Sequence, residues 1–215
     1  NLTDQVIFIT DIDKEKHLVF IKNKNGKMEA TKNFLSEPRY NLTIQDCEII
    51  NIKKLNNNIN FNHLGAIIRS AQMVGAMEKI INLSIDYCSQ RIQFGRSLSK
   101  FQAIQHQIAE MAVELAASNA ALASLNNFES IPKIEDIAIL KIRTGIAAGK
   151  LIAVSHQVHG AMGFTKEYEL AYFTKNLNSW RNDFGSEAYW QELLGKSFLE
   201  KSNLNLWEYL TNKSI

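Results

Sequence analysis

The hydrophobic pattern begins with a period of two residues. Apolar positions alternate with polar ones, or run in β-branched and aromatic residues, over Gln5–Ile12 and residues 17–23. This pattern predicts two strands, and Asn25-Gly26 among the following polar residues predicts a turn. Residues 39–50 continue the strand pattern, with one face that we expect to be buried, formed by Tyr40, Leu42 and Ile44.

A polar, asparagine-rich segment without hydrophobic period covers residues 53–60. Such a composition between two periodic regions is typical of a linker. The sequence therefore predicts two domains: a partial β-domain with its linker at residues 1–60, and a second domain at residues 61–215.

Past the linker the hydrophobic period changes to 3.6 residues, which indicates amphipathic helices. The first is expected to bury Leu64, Ile67, Ile68, Ala71, Val74, Met77, Ile80, Ile81 and Cys88. The pair Met73 and Met77 is more typical of core filling than of a cofactor site.

Breaks divide this second domain into helices. Gly95 and Ser99 form one break, Ser130-Ile131-Pro132 resembles a helix entry, and Gly185-Ser186 forms the last break. We expect three long helices and two shorter ones, at residues 64–90, 101–125, 134–158, 168–181 and 187–201. The predicted fold class is α+β, a partial β-domain followed by an up-down helical bundle.

The composition limits which classes of partner we expect for the protein. The chain has 215 residues, 46% hydrophobic and 21% charged, with a formal net charge of +2 that is scattered among acids and bases. This distribution predicts neither nucleic-acid binding nor a membrane span. Cys47 and Cys88 have no partner spacing and are expected to be free thiols in a cytoplasmic protein. The start at Asn1 without methionine, followed by strand-like sequence, suggests a fragment of a longer chain.

The residues alone point to no catalytic centre. There is no GxGxxG turn, phosphate loop or Ser/His/Asp arrangement. His156 and His159 are three apart on a predicted helix, a spacing that suits a metal, but no third ligand accompanies them and we expect no metal site.

Two motifs carry a family resemblance. The first runs from Arg91 to Gln102 (RIQFGRSLSKFQ) and the second from Gln157 to Thr165 (QVHGAMGFT). Together, in this order on a helical segment behind a β-segment, they resemble acyl-CoA dehydrogenases. The resemblance implies the end of that family's middle β-domain followed by its C-terminal helical domain.

The resemblance also implies an FAD between subunits, with the C-terminal helices of one protomer reaching the neighbour's cofactor. Matching residues near the diphosphate and adenosine are Arg91, Phe94, Gln102, Gln157, Gly160 and Ala161, and Ser186 matches a contact to the diphosphate of the same subunit's FAD. A forked, delocalised cation suits a pyrophosphate. Taken without the resemblance, Arg91 also fits a helix C-terminal cation and Phe94 a core anchor in a turn. At Ala161 the family more often has glycine.

The family's catalytic base is missing at its usual position. That glutamate precedes a Gly-Thr or Gly-Ser pair, which here is Gly185-Ser186, and the preceding residue is Phe184. A second family arrangement places the glutamate at a position that corresponds to about Gly65. Asp183 is a weak candidate for the base, and Glu187 is the other nearby acid, although both also fit solvated carboxylates at a helix start.

Three functions remain open at this stage. The first is an active FAD-dependent α,β-dehydrogenase of an acyl-CoA thioester, whose base comes from Asp183, from an N-terminal half or from a partner subunit. The second is a non-catalytic family member, or one subunit of a hetero-oligomer, that binds cofactor. The third is a helical oligomerisation module. The resemblance implies a dimer or tetramer with copies of itself or with a related subunit.

Overall fold

A computed structural model describes residues 5–23, 27–32, 38–55, 60–125 and 132–200. The chain divides into two compact units, Asn1–Asn60 and Phe61–Ile215. The first unit is built of strands and the second of helices. The predicted α+β class with a partial β-domain and a helical bundle is therefore confirmed.

The first unit contains a three-stranded antiparallel sheet in the order β1-β2-β5. Its strands pair in register, with Ile21 between Val6 and Ile49, and its buried residues are Val19 and Ile21. β3 pairs with β4 as a separate antiparallel ribbon. The strands are β1 Gln5–Ile12, β2 Glu15–Asn23, β3 Lys27–Lys32, β4 Pro38–Thr43 and β5 Cys47–Lys54.

Three predictions for this unit need correction. Residues 39–50 are not one strand, because the chain breaks at Asp46, which has a positive φ of 48°. The face expected to be buried is also wrong, since Tyr40 is 43% and Ile44 38% exposed. Lys53 and Lys54 belong to β5, so strand pairing continues into the predicted linker. The predicted turn at Asn25-Gly26 lies outside the described residues.

The second unit contains the five helices that the period predicted. They are α1 Phe61–Gln90, α2 Gln102–Ala123, α3 Ile134–His159, α4 Leu170–Trp180 and α5 Glu187–Glu200. Pro132 stands before the helix N-cap Lys133 and not in the first turn of α3. Ser130 and Ile131 lie outside the described residues.

The core of the bundle forms where α1 packs on α3. Met73 and Met77 are fully buried there, as expected, with Ala147, Ala148 and Leu151 of α3. Leu64 and Ile68, which the period assigned to the buried face, are 39% and 62% exposed. The apolar face of α1 is thus wider than the surface that the described helices cover.

A buried carboxylate fixes the register of α2 against α3. Glu114 of α2 forms ion pairs with Arg143 and with Lys150, whose Nζ lies 2.5 Å from its Oε1. The two cations stand seven residues apart along α3, so one carboxylate bridges two turns of the neighbouring helix.

Candidate functional site

The first motif folds into a small hairpin after α1. Ile92–Gln93 (β6) pairs with Arg96–Ser97 (β7), and the tip residues Phe94 and Gly95 have φ of 53° and 77°. Two positive φ values in a two-residue loop match the tight hairpin turns that follow strand twist. Phe94 is 90% exposed, so it is not a core anchor.

Arg91 and Gln102 flank this hairpin with exposed side chains. Within the part of the chain that the structure describes, no carboxylate forms an ion pair with Arg91. The neighbouring Arg96 places its guanidinium 4.2 Å from the centre of the Phe101 ring. Arg91 therefore presents an exposed cation that no carboxylate of the described residues neutralises.

The second motif ends α3 and opens its backbone to solvent. Gly160 has a φ of 59°, and a Cβ built on it would meet no atom within 4 Å. Gln157 and Ala161 are exposed on either side of it. A glycine with positive φ and free space around it allows another molecule to approach the main chain closely.

Tyr87 brings the two motifs to the same end of the bundle. Its hydroxyl donates a hydrogen bond to the carbonyl of His159 at 3.4 Å, and its ring stacks on the His159 ring with centroids 4.5 Å apart. Tyr87 also accepts the backbone hydrogen bond of Arg91 through its carbonyl. The structure thus groups Arg91, Phe94 and Gln102 with Gly160 at the C-terminal end of α1.

The Phe184 turn lies at the other end of α1. The Phe184 ring packs on Gly65 so closely that a Cβ on Gly65 would overlap it. Phe184 itself has a φ of 58°, uncommon for a bulky residue, and its carbonyl accepts a hydrogen bond from Trp190 Nε1 at 3.1 Å. The two positions at which the family resemblance places a base therefore meet in space, and neither carries a carboxylate.

Both neighbouring acids are held by arginines. Asp183 pairs with Arg69 of α1 at 2.9 Å, and Glu187 pairs with Arg181 at 2.6 Å. Each carboxylate is only 17% exposed. In each pair the arginine contacts one carboxylate oxygen and holds the side chain, which makes both acids poorly placed to reach a substrate proton.

A buried lysine supports this turn, and sequence reasoning missed it. Lys141 of α3 is 1% exposed and donates to the carbonyl of Arg181 at 2.7 Å. Burial lowers the pKa of Lys141 to about 8, against the opposing effect of Glu187 and Asp183. The only signal in the sequence was its position in the buried period of α3, between Ile137 and Thr144.

Ser186 closes the turn and begins α5. Its hydroxyl oxygen accepts a hydrogen bond from the backbone N–H of Tyr189 at 3.4 Å, as a helix N-cap does. Because α1 has 30 residues, the Phe184–Ser186 end and the Arg91 end are separated by about 45 Å of helix. One small cofactor cannot contact both ends of this helix.

The chemistry of the residues at the Arg91 end suits the diphosphate and adenosine parts of FAD, which the resemblance assigns to them. The exposed Arg91 cation suits a diphosphate, and the open Gly160 backbone suits a close contact with a nucleotide. For the histidine pair, the described residues contain no group of three or more side chains that would hold a metal ion. None of the described helices is long and apolar enough to cross a membrane.

Comparison with known proteins identifies a family. The model of the acyl-CoA dehydrogenase C-terminal domain matches residues 59–198. Acyl-CoA dehydrogenase IpdE2 of Mycobacterium tuberculosis is 30% identical over 113 residues, 53% of this chain and 35% of that protein. Acryloyl-CoA reductase (NADH) of Anaerotignum propionicum is 34% identical over 102 residues, 46% of this chain and 26% of that protein.

Solved structures share the fold. A glutaryl-coenzyme A dehydrogenase in complex with glutaryl-CoA has a TM-score of 0.79 at 23% identity, over 93% of this chain and 55% of that one. The ChsE4-ChsE5 complex from Mycobacterium tuberculosis gives 0.78 at 16% identity, over 92% and 56%. The chain thus spans about a third or less of these curated relatives and about half of these structures.

Proposed function

The chain belongs to the acyl-CoA dehydrogenase family, and we propose that it forms the C-terminal part of an FAD-binding subunit that lacks its own proton-abstracting base. The observation that carries this proposal is the contact of the Phe184 ring with Gly65. The resemblance implies a glutamate at one of these two positions, and this chain has an aromatic ring at one and a glycine at the other. The contact therefore supports the absence of a base.

The chemistry explains why this replacement matters. Dehydrogenation of an acyl-CoA thioester removes an α-proton to a base while a hydride leaves the β-carbon. The bound FAD would supply the hydride acceptor. A positioned base contributes about 10² to 10⁴ in rate, and a phenyl ring cannot accept a proton. The ion pairs of Asp183 with Arg69 and of Glu187 with Arg181 support the view that neither acid replaces it.

The proposed cofactor contacts divide between two FAD molecules. Arg91, Phe94 and Gln102 of the hairpin end, with Gln157, Gly160 and Ala161, would reach the diphosphate and adenosine of a neighbour's FAD. Ser186 would contact the FAD of its own subunit. The length of α1 between these ends supports this division, and it requires assembly into a dimer or tetramer.

Assembly with a related but different subunit is the favoured form. A solved structure with the same fold is a complex of two differently named chains, ChsE4 and ChsE5. In such a complex, the chain described here would complete the cofactor site of a partner that carries the base.

The free thiols Cys47 and Cys88 support a cytoplasmic protein.

A second candidate is an active α,β-dehydrogenase whose base comes from outside this chain or from Asp183. The dehydrogenase names of several relatives favour it. For Asp183 to act, its ion pair with Arg69 would have to open first.

FAD retention by the full-length protein tests the cofactor role. Wild type should keep stoichiometric flavin absorbance through gel filtration, and Arg91→Gln should weaken FAD binding by about 10- to 100-fold, the value of a charged hydrogen-bonded pair. Lys196→Gln, on an exposed i,i+4 pair of α5, is the charge-matched control. A colourless wild type, or an Arg91→Gln variant with unchanged affinity, would contradict the assignment.

A further inference from the structure

Two histidines at the end of α3 each keep one ring nitrogen without a hydrogen-bond partner among the described residues. These atoms are Nδ1 of His156 and Nε2 of His159, and both are buried. His159 is 3% exposed and donates from Nδ1 to the carbonyl of Ser155 at 2.8 Å. Its Nε2 must therefore carry the lone pair of the neutral ring.

The tautomer of His156 follows from its partner. His156 Nε2 lies 3.0 Å from the hydroxyl of Thr174. When that hydroxyl donates its only proton to the carbonyl of Ala171 at 3.4 Å, Nε2 is the donor and Nδ1 holds the lone pair. In this arrangement both unpartnered nitrogens are sites where a proton would bind.

Aromatic rings surround the pair. His156 stacks on Phe164 with centroids 4.1 Å apart, and His159 lies against Tyr87 and Tyr168 at 4.5 and 5.2 Å. No carboxylate forms an ion pair with either imidazole in the described part of the chain. The titratable groups that face His159 are Tyr87 from α1 and Tyr168 from the segment before α4, and the two histidines also face each other. From α4, the neutral Thr174 faces His156.

Protonation of either ring is therefore unfavourable while Phe164 stays stacked on His156, as it is in this structure. Burial lowers the pKa of both histidines, and His159 lowers that of His156 further. The carbonyls of Ser155 and Leu83 oppose this effect at His159 only in part, and the Leu83 carbonyl already accepts from the Tyr168 hydroxyl at 3.4 Å.

The segment Gly160–Phe164 is the part of this histidine site that can move. It is a five-residue 3₁₀ turn that starts at the positive-φ Gly160, and the 68% exposed Phe164 ring is held by its stack on His156. A Cβ on Gly163 would lie 3.1 Å from His156 Nδ1, so the unpartnered nitrogen faces this turn directly. His156 is half-buried, and its Nδ1 atom reaches water only if the turn moves away.

We propose that His156 and His159 form an acid-sensitive latch that holds Gly160–Phe164 closed when both rings are neutral and releases it when one is protonated. Because this turn contains the proposed adenosine contacts, the functional consequence rests on the proposed function: cofactor exchange at this end of the bundle would be faster in acid. The latch itself needs no cofactor.

Amide hydrogen exchange of the 215-residue chain without flavin tests the latch. After correction for the pH dependence of the intrinsic exchange rate, protection of Gly160–Phe164 should fall by about tenfold or more from pH 7.5 to pH 5, since one linked proton changes an opening constant by up to about tenfold per pH unit. Protection in α2 should stay constant. His156→Gln keeps a donor for Thr174 but cannot be protonated, and should remove most of the pH dependence.

His106→Gln, on the exposed face of α2, is the matched control and should leave the response unchanged. Histidine NMR titration gives an independent readout, in which His156 and His159 should titrate below the ordinary pKa of a histidine side chain. Protection that does not change with pH, or the two imidazoles titrating at or above that ordinary value, would overturn the latch. Either result would leave the FAD assignment, which flavin retention at neutral pH tests, unaffected.

Discussion

The Phe184 ring lies on the α-carbon of Gly65, across the space between the α4–α5 turn and the first turns of α1. The positive φ of Phe184 costs conformational energy, which the surrounding contacts must balance. Arg69, Lys141 and Trp190 each bond to a residue of this turn, to Asp183, Arg181 and Phe184 respectively. These bonds hold the backbone of the turn that carries Phe184, whose ring contacts Gly65 although the residue is 44% exposed.

The first prediction concerns this contact. Gly65→Ala should destabilise the chain by about 1–3 kcal/mol, because the new methyl group overlaps the Phe184 ring. Gly75→Ala, on the exposed side of the same helix with nothing within 4 Å, should instead stabilise it by about 0.4–1 kcal/mol. Urea unfolding followed by circular dichroism measures both. Phe184→Ala should remove most of the clash, so the variant with both Gly65→Ala and Phe184→Ala should lose less stability than the sum of the two single losses. A loss equal to that sum would show that the two residues do not touch.

The second prediction concerns the carboxylate between α2 and α3. Glu114→Gln should lower the free energy of unfolding by about 1.5–3 kcal/mol, since it removes the ion pair with Arg143 and the charged hydrogen bond from Lys150. Glu192→Gln breaks the exposed pair with Lys196, which solvent screens, and should change the stability far less. If the two variants unfold at the same denaturant concentration, Glu114 does not fix the helix register.

The third prediction is a pH dependence caused by Lys141. Its pKa is about 8 in the folded chain and 10.5 for the ordinary group. Below pH 8 both states are protonated and the burial cost is fully present, whereas between pH 8 and 10.5 the unfolded state binds more protons. The free energy of unfolding of wild type relative to Lys141→Met should therefore rise with pH, by up to about 3 kcal/mol. Parallel stability curves from pH 7 to 10.5 would show that Lys141 titrates normally.

The sequence predicted those features that depend on local periodicity. Helices α1, α2 and α3 follow from a 3.6-residue period, and the interruption between α1 and α2 from Gly95 and Ser99, but the hairpin formed there was not predicted. The contact of Phe184 with Gly65 was beyond prediction, because it depends on how α5 and α1 pack and not on any local pattern. The exposure of Ile68 has the same cause, since the period marks an apolar face but not the element that covers it.

The acids beside the Phe184 turn show the same limit. Asp183 and Glu187 were recognised from the sequence as the nearest carboxylates, but their partners Arg69 and Arg181 were not. Arg69 comes from α1, far away in sequence, so only the folded bundle decides whether Asp183 is available.

The most direct test of the missing base is anaerobic stopped-flow absorbance of the full-length protein reconstituted with FAD, across a panel of acyl-CoA chain lengths. Wild type should bind FAD but bleach it slowly, and Phe184→Glu should raise the bleaching rate by up to ~10² to 10⁴, as a well-placed general base does. Phe184→Gln is the control, because its side chain has the size of the glutamate in Phe184→Glu but cannot act as the base. Its flavin bleaching should stay slow. Rapid bleaching by wild type that Asp183→Asn abolishes would contradict the account and identify the neighbouring aspartate as the base.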